Sequence, residues 1–152
     1  YALALRVSDP QGSRQQFQEV VTEAEAALRR PNSKYVECAW RLAHAWALAG
    51  LGQREAAVAE AQRGVDLVPI SEDPLEGPTF IEYQARALAT AGEADAAIDL
   101  LSRLLYTTGS WMTPARLAVE PTWDPLRGNP RFQALLHDKG FGLTPWDSKG
   151  TR

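Results

Sequence analysis

Residues 38–69 carry two different helical patterns of hydrophobic positions, separated by a turn. In CAWRLAHAWALAGLG the apolar residues Trp40, Leu42, Ala43, Ala45, Trp46, Ala47, Leu48 and Leu51 run almost all round the helix, broken mainly by Arg41 and His44. Such a helix is covered on several sides. In QREAAVAEAQRGVDLVP the pattern is one-sided: Ala57, Ala61, Val65 and Val68 recur at three- and four-residue steps, while Arg54, Glu55, Glu60, Gln62, Arg63 and Asp66 take the remaining surface. An inner helix paired with a water-facing outer one cannot close a core alone, so the pattern predicts stacked copies. A second copy follows, because GLGQREAAVAEAQ is echoed by TAGEADAAIDLLS and the turn glycines Gly52 and Gly92 lie 92 − 52 = 40 residues apart.

The flanking segments fit this scheme. Residues 1–7 (YALALRV) read as the end of an inner helix, which suggests a fragment of a longer chain. Asp9 before Pro10 is a good helix start, Ser13 with Gln16 offers a later capping box, and Phe17, Val20, Val21, Ala24, Ala27 and Leu28 keep helical spacing up to Pro31. Asn32 and Ser33 are placed to cap the central inner helix. ISEDPLEGP after Val68–Pro69 reads as an ordered acidic connector, after which Phe80, Ile81, Ala85, Leu88 and Ala89, then Ala97, Ile98, Leu101, Leu104 and Leu105, supply the second inner and outer faces. From residue 110 the pattern changes to a Trp-, Pro- and Arg-rich stretch of short elements, with a last helix from Pro130 capped by Asn129. It is the kind of segment that covers the open end of a stack, with Trp111, Trp123 and Phe132 expected against the last repeat. The boundaries so read are a half repeat at 1–31, repeats at 38–69 and 78–109, a cap at 110–140 and an irregular tail at 141–152, with Phe141 or Trp146 docked.

Composition narrows the function classes. With 45% apolar and 23% charged residues among 152, the chain is globular rather than disordered. No apolar run approaches the ~20 residues of a membrane span. A net charge of −3 argues against a nucleic-acid binder, which needs clustered Lys and Arg to displace counterions. The single Cys38 excludes an internal disulfide and fits a reducing compartment, the cytoplasm, and its place on the apolar helix predicts a buried thiol. His44 and His137 lack the spacing of a ligand pair, so no metal is expected.

The repeated units resemble tetratricopeptide repeats. Gly52, Ala57 and Pro69 match the family's turn glycine, second-helix small residue and terminal proline, which places Ala45 at the small position of the first helix; Gly92, Ala97 and Ala85 do the same in the second copy. Leu48, Leu88, Gly64, Leu104 and Gly109 depart from the family's usual residues. The resemblance implies an all-α, right-handed solenoid of antiparallel helix pairs with a C-terminal cap. GLGQREAAVAEAQRGVDLVPISEDPLEGP, GEADAAIDLLSRLL and above all PTWDPLRGNPRFQALL further resemble the C-terminal repeat region of bacterial signalling proteins that carry an N-terminal kinase, nucleotide cyclase or winged-helix domain. This implies a non-catalytic module that binds a protein or peptide, with a scaffold or self-association segment as the alternative.

The residues themselves offer no catalytic constellation. Gly50 and Gly52 end a helix rather than follow a strand, so they make no phosphate loop, and the carboxylates are spread over polar faces. Enzyme activity and a cofactor are therefore not expected of this segment. In the repeat register the concave face presents Ala39, Leu42, Trp46 and Ala49 from one copy and Thr79, Glu82, Arg86 and Ala89 from the other. Trp46 offers an apolar anchor for a peptide or helix, and Arg86 a donor fork for a carboxylate. The blander reading is that Trp46 packs on the next repeat and Arg86 pairs with Glu82 one turn earlier. The family's Lys- and Asn-based clamp for a peptide C-terminus is not implied, because Leu42, Trp46, Glu82 and Arg86 stand at those positions. The apolar start near Tyr1, Leu3 and Leu5 is a candidate for homo-oligomer contact.

Overall fold

A computed structural model describes residues 10–138, and these residues fold into helices and turns without a β-strand. The elements are α1 (Pro10–Leu28), α2 (Lys34–Gly50), α3 (Arg54–Asp66), α4 (Gly77–Ala91), α5 (Ala94–Leu104), α6 (Pro114–Val119), a 3-10 turn (Pro121–Leu126) and α7 (Pro130–Leu136). The expectations for Asp9, the first seven residues and the tail with Phe141 and Trp146 lie outside the described residues.

The two repeat units share one turn geometry. Gly52 and Gly92 adopt φ values of 80° and 85°, a region that costs glycine nothing because it has no Cβ. In each turn the glycine N–H and the next N–H reach back to the carbonyls of the ending helix: Gly52 to Ala49 and Gln53 to Leu48, Gly92 to Ala89 and Glu93 to Leu88. This double closure satisfies carbonyls that a helix end would otherwise leave unpaired. Leaving the first turn, α2 and α3 pair Leu48 with Gln53 and, further on, Arg41 with Glu60, so residue numbers diverge in opposite directions and the pair is antiparallel.

Among the described residues, three apolar cores follow one another. Phe17 and Val21 of α1 meet Ala47, Leu48 and Ala49 of α2 and Ala57 of α3. Cys38, Leu42 and Ala45 of α2 then share a core with Ala61 and Val65 of α3, with Val68, and with Phe80 and Ala87 of α4. The largest core joins α4 and α5 to Met112, Leu117, Trp123, Leu126, Phe132 and Leu135. Each helix pair thus completes its core with the element that follows, as the one-sided patterns require.

Local capping follows the side chains, with two corrections to the sequence reading. Ser33 caps α2 by accepting from the Val36 N–H at 3.4 Å, and Asn129 caps α7 by accepting from the Arg131 N–H at 2.9 Å. Asn32 instead closes the previous helix, donating to the Ala27 and Arg30 carbonyls at 2.9 Å. Ser13 is not a cap, because α1 already starts at Pro10 and Ser13 is buried within its first turns. A third correction concerns the cap: Trp123 and Phe132 are fully buried, whereas Trp111 is 79% exposed and Met112 takes the inward place beside it.

The connector between α3 and α4 is ordered by Asp73. Its Oδ1 accepts from the Leu75 and Glu76 N–H groups at 3.1 and 2.9 Å, and its Oδ2 accepts from the Tyr35 hydroxyl at 2.8 Å. The Glu76 N–H foremost, then the Tyr35 hydroxyl, hold the Asp73 carboxyl below its ordinary range. A depressed folded-state pKa gives stability that is complete above the unfolded value near pH 4 and is lost as pH falls through the lower folded value. Asp73→Asn should therefore be less stable than the parent at neutral pH, with the gap closing below about pH 4. Denaturant titrations of both proteins from neutral to strongly acidic pH test this, and a gap that persists or widens in acid would contradict it.

Candidate functional site

The first helices of the two hairpins, α2 and α4, pack together and leave an open groove of about 240 Å³ lined by Ala39, Leu42, Ala43, Trp46, Tyr83 and Arg86. The groove is mainly apolar, and its two walls come from repeat-equivalent positions: 83 − 43 = 40 and 86 − 46 = 40. Of the concave residues expected from the sequence, Ala39, Leu42, Trp46 and Arg86 meet here. Ala49 does not, because it is buried against Phe17 and Val21 where α1 covers that part of α2. Glu82 is buried beside the groove in an ion-pair cluster rather than lining it, and Leu42 is 1% exposed, forming the floor rather than a wall. Ala43 and Tyr83 were missed; their signal was the spacing 39, 43, 46 and 79, 83, 86, an equally valid helical stripe.

Trp46 is fixed on both sides. Its Nε1–H donates to Thr90 Oγ1 at 3.1 Å, and Thr90 in turn donates to the Arg86 carbonyl at 2.9 Å. Phe17 meets the indole edge-on, with ring centroids 5.9 Å apart at 85°. A half-buried indole with its polar handle satisfied and its ring held edge-to-face is a preset apolar wall.

Arg86 is engaged within the chain. Its Nε and Nη2 donate to Glu82 Oε1 at 3.2 and 2.6 Å, Nη2 also to Glu120 Oε2 at 2.7 Å, and Nη1 to Thr122 Oγ1 at 3.1 Å. The guanidinium lies 5.3 Å from the centre of the Trp123 ring. Arg116 completes the cluster, donating to Glu82 Oε1 at 3.0 Å and Glu120 Oε1 at 2.7 Å. Burial alone would lower the Arg116 pKa, but its bonds to Glu120 and Glu82 outweigh burial and raise it. Two cations and two carboxylates cancel here, and the donor fork of Arg86 serves Glu82 and Glu120.

Elsewhere, Glu60 is buried but accepts from Arg41 Nη1 at 2.8 Å and Arg63 Nη1 at 3.3 Å, with His44 Nδ1 3.7 Å away. Burial pushes the Cys38 thiol up to about 12, so it stays protonated at neutral pH. No group of His, Cys, Asp and Glu among the described residues has the arrangement of a metal site, and no helix among them is long and apolar enough to cross a membrane. Comparison with protein-family models, curated proteins and solved structures gave no match.

Proposed function

We propose that the chain is a non-catalytic protein-interaction module, a right-handed tetratricopeptide-like solenoid with a C-terminal cap, which receives a peptide or helix of a partner protein in the α2–α4 groove. The observation that carries this reading is the groove itself, open and apolar, with walls from equivalent positions of two successive hairpins. At about 240 Å³ it falls below the roughly 300–1,000 Å³ of small-molecule sites, a size suited to one or two protein side chains. The occupant is an apolar anchor against Trp46 and Leu42 rather than a carboxylate, because the Arg86 fork already serves Glu82 and Glu120. Ala39, Ala43 and Trp46 continue the apolar stripe along α2 at helical steps, the spacing that a docked amphipathic helix follows. The resemblance of PTWDPLRGNPRFQALL supports placing the module in the C-terminal region of a larger bacterial signalling protein.

Selection of displayed random peptides on the folded protein tests the reading. Enriched sequences should carry a leucine, phenylalanine or tryptophan anchor. Tyr83→Ala, at a residue 43% exposed, should weaken these peptides about tenfold without lowering Tm, and Trp46→Ala about thirtyfold. Selected peptides that bind both variants as tightly as the parent would place recognition elsewhere.

A further inference from the structure

The large hydrophobic side chains exposed among the described residues are not scattered. Tyr35 and Val36 stand at the start of α2, Leu75 in the connector, Tyr106 just after α5 and Trp111 just before α6, at the end of the hairpins away from the Gly52 and Gly92 turns; Tyr83 and Val119 lie within α4 and α6. Contacts from the start of α2 and from Gly109 to the connector tie this edge. Tyr35 donates to Asp73 of the connector, and Gly109 sits so close to the connector that a Cβ there would lie 2.9 Å from the Pro74 carbonyl oxygen and 4.0 Å from Leu75 Cα. Trp111 follows Gly109 by two residues. The opposite edge differs: its turns at Gly52 and Gly92 are linked by the Arg54–Glu93 ion pair at 2.6 Å and expose no large hydrophobic side chain of their own.

The chemistry of this edge is specific. The connector carries Glu72, Asp73 and Glu76, and Leu75 stands 73% exposed between the last two. Lys34 shows what such a surface holds: its Nζ lies 5.4 Å from the Tyr35 ring centroid and 3.4 Å from Glu72 Oε2, a cation shared between an aromatic face and a carboxylate. Trp111 offers a larger indole face in the open. Exposed aromatic and aliphatic groups rimmed by charge mark interaction surfaces, and this rim is net acidic, since Lys34 offsets only one of Glu72, Asp73 and Glu76.

We propose that this edge is a second docking surface, distinct from the groove, for a cationic protein segment. Such a segment lays a lysine or arginine over Trp111 and an apolar side chain against Leu75, with Glu72 and Glu76 opposite its remaining charge.

The probe is a fluorescein-labelled peptide of alternating lysine and leucine, titrated into the full chain beside its glutamate–leucine counterpart. The lysine peptide should bind and the glutamate peptide should not. Trp111→Ala with Leu75→Ala should weaken binding at least about tenfold, while Tm stays unchanged because both residues are exposed. Glu72→Gln with Glu76→Gln should weaken it and flatten its dependence on salt. Trp46→Ala should leave it unaltered, which separates this surface from the groove. Equal binding of the two peptides, or full affinity in the Trp111→Ala/Leu75→Ala protein, would overturn the proposal. So would sedimentation showing a dimer of the chain that Trp111→Ala dissolves, since a second copy would then be the occupant.

Discussion

Trp123→Ala is expected to destabilise the folded chain by about 3–5 kcal/mol, and Trp111→Ala by no more than about 0.5 kcal/mol, although both tryptophans lie in the same Pro-rich stretch. Trp123 is fully buried and shares its core with Leu101, Leu104, Met112, Leu117, Leu126 and Phe132. Its loss removes that contact area and leaves a cavity the neighbourhood cannot easily close, because Pro121 and Pro125 fix the backbone of the 3-10 turn that carries it. Arg86 would also lose the ring over which its guanidinium lies. For a domain of this size the effect amounts to a fall in Tm on the order of 10 °C. Thermal melts of the two variants decide it: if Trp111→Ala proves the more damaging, the cap is packed differently from the arrangement described.

Gly50→Ala should change the sign of its effect with the residue at position 17. In the parent, the new Cβ would lie 2.4–2.6 Å from three atoms of the Phe17 ring, so overpacking of about 1–3 kcal/mol should exceed the gain of up to about 1 kcal/mol from replacing a helical glycine by alanine. Phe17→Ala alone should cost about 3–5 kcal/mol, because Phe17 fills the core between α1 and α2 and supports the edge of Trp46. In that background the space is open and Gly50→Ala should stabilise. A double-mutant cycle by chemical denaturation measures the coupling. Additive effects would mean that α1 does not approach α2 at Gly50 as closely as the structure has it.

Several features were legible because they depend on neighbours in the chain. The 3.6-residue period placed the helices, the glycines forty residues apart placed two equivalent turns, and Ser33 and Asn129 could be assigned as caps since their partners lie two or three residues away. The misreadings sit where a local choice had two solutions. Asn32 lies between two helices and can serve either, and the distance to Ala27 settled it in favour of the earlier one. Trp111 and Trp123 both lie outside long periodic helices, so no pattern says which faces inward.

The sequence alone determined an all-helical chain of paired helices with a distinct C-terminal segment, because amphipathic period, turn glycines and capping residues act over one or two turns of backbone. The candidate site was half visible: Ala39, Leu42, Trp46 and Arg86 could be put on one helical face, but 3.6-residue spacing allows that face to continue through Ala43 as well as Ala49. Only the tertiary structure chose, by laying Phe17 of α1 over Ala49 and leaving Ala43 and Tyr83 at the groove. It likewise decided the role of Arg86, whose bonds to Glu120 and Thr122 span 34 and 36 residues. Charge partners that far apart in sequence leave no periodic trace, since nothing in the local backbone depends on them until the cap docks.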